Sequence, residues 1–245
     1  MQEELKVLIK AQYPLIYLVT SEEERTERAI AMIAQSKSQQ RRVFVWTVTH
    51  GIIEYGQSRH TSQHHNTVSP EAAIQWVIQQ KEAGIYIFKD LHPFTDSAPV
   101  TRWLRDAIAS FKDSQKSIIL MSPVQQIPIE LEKEVVVIDY PLPDLTELNQ
   151  VLSHQLDQAK TRRTTTETRE KLLKAALGLT KDEAEKVYRK AFVKSGRLTE
   201  KEVDIVLSEK KQLIRRNGIL EYIEEDETID SVGGLELHSR LFLEA

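Results

Sequence analysis

The 245-residue chain contains no cysteine. Disulfides, thiol catalysis and thiolate-held metals are excluded together, and a reducing compartment is the expected setting. Glycine is scarce: there are eight, and none precedes Gly51. No lysine stands between Lys10 and Lys37. Near the N-terminus the longest apolar run is Pro14–Val19, far short of the roughly 20 residues a bilayer-spanning helix needs. In the opening "MQEELKV" acids take the place of the basic region of a signal peptide, so the cytosol or its organellar equivalent is expected. Lys and Arg number 33 against 37 Asp and Glu, for a net charge of −4. That balance lacks the basic excess that marks a dedicated nucleic-acid binder.

What is present is an alternation. Five short runs rich in β-branched and aromatic residues stand out: Leu15–Thr20, Val43–Val48, Ile85–Lys89, Ser117–Met121 and Val135–Asp139. They are mostly continuous apolar runs, which is how strands covered on both faces read. Between them lie helical patterns. Glu22–Gln35 groups Ala29, Ile30, Met32 and Ile33; Glu71–Ala83 follows a Ser69-Pro70 start; Val100–Phe111 spaces Trp103, Leu104, Ala107, Ile108 and Phe111 at helical intervals. Only "PVQQIPIELEKE" separates the last two strands, room for a turn or two. The expected fold is α/β: a five-stranded, mainly parallel sheet sandwiched by helices, followed by a small all-α domain.

The all-α part begins after the rigid break "PLPD". Asp144 is placed to cap a helix running to about Lys160. The basic stretch "KTRRTTTETREK" leads to Leu172–Leu177. Thr180 with Glu183, and Thr199 with Glu202, form capping-box patterns. The last helix should stop at Asn217-Gly218, with Arg215 and Arg216 near the negative end of its dipole. The expected organisation is residues 1–142, 143–218, and a linker over 219–245.

In an open parallel sheet, ligands gather at the carboxyl ends of the strands. The first strand runs into "TSEEER". A phosphate cradle there needs glycines, so that backbone N–H groups can curl round an anion, and a lysine to neutralise it. No G-x-x-x-x-G-K-[ST] exists in the chain. Instead Ser21 and Glu24 match a capping box, and Glu22, Glu23 and Glu24 place negative charge at the positive end of the helix dipole. At ~6 Å, with an effective dielectric of 20 to 40, each carboxylate–phosphate pair would cost roughly 1–3 kcal/mol. The plainer reading is a well-capped surface helix, under which the missing loop carries no meaning. Asp90 ends the third strand in "IYIFKDLHPF" but is followed by Leu91, so it lacks a second carboxylate.

The order of these elements resembles an AAA-type ATPase domain with its helical lid. More narrowly, "YIFKDLHPF", "IPIELEKEVVVIDYPLPDLTEL", "AALGLTKDEAE" and "VLSEKKQLIRRNGILEY" are similar to the N-terminal half of a two-domain AAA protein of cyanobacteria and red-algal plastids. "IDSVGGLEL", Ile229–Leu237, is similar to the entry of that family's second, ATP-hydrolysing domain, after which "HSRLFLEA" departs from the pattern. The resemblance implies a first domain already without a P-loop. ATP hydrolysis is then expected only in a second domain that this chain does not include. It implies a regulatory or assembly module whose partner is an AAA ATPase domain or subunit, in a homo- or hetero-oligomeric ring, in cytoplasm or plastid stroma. No catalytic residue, metal or cofactor carries over. The alternative lets ATP and magnesium bind weakly in a divergent pocket around Thr20, Asp90 and Ser122.

Three other readings are open to the residues. His50, Asp90 and His92 all stand at strand ends and are possible metal ligands, although His92-Pro93 reads as a turn and His50 belongs to a strand expected at the sheet edge. His60, His64 and His65 lie in "RHTSQHHN", which reads as a polar loop. Two basic patches, Lys160, Arg162 and Arg163, then Lys210, Lys211, Arg215 and Arg216, offer a nucleic-acid-binding alternative, but few aromatics interleave with them, so base stacking is not suggested. Trp103 would be an interaction residue only if it stood outside the core.

Overall fold

The computed structural model describes residues 2–36, 40–57, 65–112, 114–158 and 164–216. The chain divides into two compact units, one ending at Leu142 and the other beginning at Pro143.

The N-terminal unit is built on a six-stranded sheet. In chain order its elements are α1 (Gln2–Lys10), β1 (Leu15–Val19), α2 (Glu23–Ala34), β2 (Arg42–Thr47), β3 (Gly51–Glu54), α3 (Pro70–Gln79), β4 (Gly84–Lys89), α4 (Ala98–Phe111), β5 (Lys116–Ser122) and β6 (Val136–Asp139). The strand order is β3-β2-β4-β5-β1-β6, parallel throughout except for β3 against β2.

The near-continuous apolar runs are explained by their alternation between two covered faces. Leu15, Tyr17, Phe44, Trp46, Tyr86, Phe88, Ile118 and Leu120 share one core with residues of α3 and α4. Ile16, Leu18, Val43, Ile85, Ile87, Ile119 and Met121 share the other with α1 and α2. Burial on both sides removes the need for polar residues along a strand. Where β2 meets β4 the first face is aromatic: Phe44 stacks on Tyr86 and Trp46 tilts against Phe88, each pair 5.3 Å between ring centres. Trp103 packs against this core, half-buried, and is a packing residue.

Five strands were expected and six are present. The sixth, β3, is four residues long and returns antiparallel to β2 through a tight turn. It moves β2 off the sheet edge, so the expectation for His50's strand is corrected as well. Gly51 starts it with φ +68°, a backbone that glycine adopts without strain. The short strand is held by Thr67, whose Oγ1 accepts from Ile52 N–H at 2.8 Å and whose carbonyl accepts from Trp46 Nε1 at 2.7 Å. Helix α1 also goes beyond the expectation. Met32, grouped with the buried face of α2, is instead 65% exposed, while Ile30, Ala31 and Ala34 are buried.

The second unit comprises α5 (Leu145–Gln158), α6 (Thr166–Ala176), α7 (Lys181–Ser195) and α8 (Glu200–Arg216). Its core joins Leu148, Leu152, Leu172, Ala176, Tyr188, Ala191 and Val206. The caps follow the sequence pattern. Asp144 Oδ1 accepts from Glu147 N–H at 2.8 Å. Thr180 and Glu183 form both halves of a capping box. The Thr199 N–H and hydroxyl both donate to Glu202 Oε2. α6 begins earlier than expected, with Thr165 as its N-cap. Asn217-Gly218 and the linker over 219–245 lie outside the described residues.

Candidate functional site at the carboxyl ends of the strands

The sheet order brings the ends of β4, β5, β1 and β6 side by side. Thr20 N–H donates to the Ser122 carbonyl at 2.8 Å, Asp90 N–H to the Met121 carbonyl at 2.9 Å, and Tyr140 N–H to the Val19 carbonyl at 2.9 Å. The three residues proposed from sequence, Thr20, Asp90 and Ser122, therefore stand on three neighbouring strand ends.

Two of the three are committed to local structure. Thr20 Oγ1 accepts from Glu22 N–H at 3.0 Å and lies 3.4 Å from Thr26 Oγ1, which donates to the Glu22 carbonyl at 2.8 Å. Ser122 Oγ accepts from Val124 N–H at 3.2 Å and pairs with His92 Nδ1 at 3.0 Å. Both hydroxyl residues are buried. Asp90 is exposed, and its backbone is left-handed at φ +49°.

The turn from β1 to α2 differs from its sequence reading. The expected Ser21–Glu24 box does not form: Ser21 is exposed and the N-cap of α2 is Glu22. Thr20, one residue further back, supplies the acceptor instead. Nor do the acids stand uncompensated. Arg25 Nη1 donates to Glu22 Oε2 at 2.6 Å and to the Pro141 carbonyl at 2.7 Å. Its guanidinium lies 4.9 Å from the centre of the Tyr140 ring, within cation–π range. The side chains of Glu22 and Arg25 keep only 6% and 10% of their exposure. Lys89, the last residue of β4, pairs with Glu23 at 2.9 Å and with Glu27. Burial alone would lower the Lys89 pKa; the carboxylates of Glu27 and Glu23 outweigh it and hold the ammonium above its ordinary value.

Sequence reasoning missed both cations. Arg25 was legible in the i,i+3 spacing from Glu22. Lys89 was not, because its place opposite α2 depends on the order of the strands. The lysine absent from the first turn is in effect supplied by another strand, and it neutralises carboxylates there.

The rival sites resolve as follows. His50 lies in the turn between β2 and β3, with Nδ1 2.6 Å from Thr49 Oγ1. His92 opens a short 3-10 turn, His92–Phe94. Among the described residues no three of His, Cys, Asp and Glu gather closely enough to hold a metal ion. His60 and His64 lie outside the described residues, as do Lys160, Arg162 and Arg163. Lys210, Lys211 and Arg215 line the last turns of α8, where cations complement the dipole. No described helix is long and apolar enough to cross a membrane.

Comparison with known proteins extends this picture. Residues 1–140 match a family model described as the N-terminal domain of SpoVK-like AAA ATPases, and residues 146–217 match the second domain of the same group. An AAA domain-containing protein of Guillardia theta, ycf46, is 28% identical over 95% of this chain and 45% of its own length. The ycf46 protein of Pyropia yezoensis is 26% identical over 96% of this chain and 47% of its own length. The chain thus spans a little under half the length of these relatives. Among solved structures, a mutant of Thermotoga maritima RuvB aligns with a TM-score of 0.53 at 15% identity, covering 86% of this chain and 68% of that one. A chain of an E. coli HORMA:CdnC:Trip13 complex aligns with a TM-score of 0.54 at 10% identity, covering 88% and 86%. At such identity these structures share the fold alone.

Proposed function

Since this chain belongs to the SpoVK-like AAA ATPase family, we propose that it is a member domain that works without nucleotide of its own, a regulatory or assembly module for an ATPase domain carried elsewhere. One observation carries the reading. At the turn where a phosphate would be cradled, the buried Glu22–Arg25 pair and the Thr20 hydroxyl occupy the groups a ligand would use. There is no glycine in the turn to free its backbone N–H groups, and Lys89 is already paired with Glu23 and Glu27. The partner of this reading is an AAA ATPase domain or subunit, within a ring of like or unlike copies. The expected setting is cytoplasm or plastid stroma.

Titration of the chain with magnesium–ATP in a calorimeter tests it. No heat of binding is expected; micromolar affinity overturns the proposal.

A second reading is favoured by the adjacency of Thr20, Asp90 and Ser122 and by the exposure of Asp90: weak ATP–magnesium binding in a divergent pocket. Asp90→Asn removes the charge while keeping a residue that tolerates the left-handed backbone. A fall in nucleotide affinity in that variant supports the second reading; with no affinity to lose, the first stands.

A further inference from the structure

The helical unit is charged in a way its function as a packed bundle does not require. Residues 143–216 hold 17 Lys and Arg against 12 Asp and Glu, a net of +5. Residues 217–245 hold one Arg against eight acids, a net of −7. Six of those acids fall within Glu221–Asp230, which contains no basic residue and includes Tyr222, Ile223 and Ile229.

Three of those cations, Lys160, Arg162 and Arg163, lie outside the described residues; among the others, several gather on α7. The outer face of α7 presents Lys186, Arg189, Lys190, Val193, Lys194 and then Arg197, all exposed. Lys186 pairs with Asp182, Arg189 with Glu185 and Lys190 with Glu209, each at 2.5 Å. The Lys186–Asp182 pair is exposed on both sides, and such pairs are worth about 0–1 kcal/mol, so Lys186 can exchange partners. Lys194 and Arg197 have no acidic partner among the described residues. Val193, 78% exposed, stands in the middle of this basic stripe. An apolar centre with a charged rim is the anatomy of a docking surface.

The occupant follows from charge and reach. α7 and α8 are joined by only four residues and meet at Lys190–Glu209, so α8 runs back along α7. Arg216 closes α8 seven residues beyond Glu209, about 10 Å further toward the start of α7. The fourteen residues from there to Asp230 span at most ~45 Å, more than twice the roughly 16 Å of the stripe. We propose that the outer face of α7 docks the acidic stretch Glu221–Asp230 of this same chain, with Val193 as its apolar anchor. The contact is an intramolecular cover over the basic stripe, which a more strongly acidic partner would have to displace.

Zero-length carbodiimide cross-linking of the full chain, read by mass spectrometry, tests this. The expected products are amide links from Lys186, Lys190 or Lys194 to carboxylates of Glu221–Asp230. Their yield should be unchanged on dilution and should fall several-fold with added salt. A variant combining Val193→Asp with Arg197→Glu leaves every reactive lysine in place and alters only exposed residues; it should cut the yield several-fold. Absence of these links overturns the proposal. So does loss of the links on dilution, which would make the occupant a second copy. An unchanged yield in the variant overturns it too.

Discussion

Arg25 Nη1 stands 2.6 Å from Glu22 Oε2, and both side chains are almost withdrawn from water. The same guanidinium nitrogen reaches the Pro141 carbonyl, so one side chain ties the start of α2 to the chain leaving β6. A buried pair is hard to break from one side, because the remaining charge has no solvent to turn to. Arg25→Met should destabilise the N-terminal unit by about 3–5 kcal/mol. Adding Glu22→Gln should recover part of that loss, since the two effects are not additive within a pair. All three tryptophans, Trp46, Trp76 and Trp103, lie in this unit, so their fluorescence during urea unfolding reports it directly.

Asp90 offers a backbone test. Its φ of +49° is costly for most side chains, and least so for glycine, asparagine and aspartate. Asp90→Val should cost about 1–2 kcal/mol, whereas Asp90→Gly should stay within ~0.5 kcal/mol of the parent. Equal losses in both variants would point to the carboxylate, not the turn.

Gly51 is constrained by space as well as by φ. A Cβ placed there would lie 2.7 Å from Thr67 Oγ1 and 3.1 Å from the Thr67 backbone. Gly51→Ala should therefore cost at least ~2 kcal/mol and loosen β3. Hydrogen exchange at the Ile52 amide, which donates to Thr67 Oγ1, is the measurement to make.

Glu202 gives the helical unit a pH dependence. Burial works against its charged form, but hydrogen bonds from the Thr199 hydroxyl and N–H prevail and hold its pKa below the usual carboxylate value. A depressed folded-state pKa contributes stability that is fully present above the unfolded value, near 4.3, and is lost as pH falls through the lower folded value. Amide exchange in α8 should accelerate over that acidic window. Glu202→Gln should remove this component of the dependence and lower stability at neutral pH.

Much of the architecture was legible because it is written in contiguous residues. Runs such as Ile85–Lys89 announce a strand covered on both faces, and Thr180 with Glu183 announces a cap within four positions. β3 escaped because four residues beginning with glycine carry almost no periodic signal; its support comes from Thr67. The turn after β1 was read correctly in its lack of glycine and wrongly in its electrostatics. Its acids looked repulsive because the cation that meets Glu23 and Glu27 comes from Lys89, more than sixty positions away, and strand order is not a local property. The neighbouring positions of Thr20, Asp90 and Ser122 follow from the carboxyl-end rule for parallel sheets; the engagement of two of their hydroxyls does not.

The double mooring of α2 has a mechanical consequence. Arg25 holds it to the Pro141 carbonyl beyond β6, and Glu23 and Glu27 hold it through Lys89 to β4. Swinging this helix would break the Arg25–Pro141 hydrogen bond and the Lys89 ion pairs at once. Within the N-terminal unit it is a strut and not a lever.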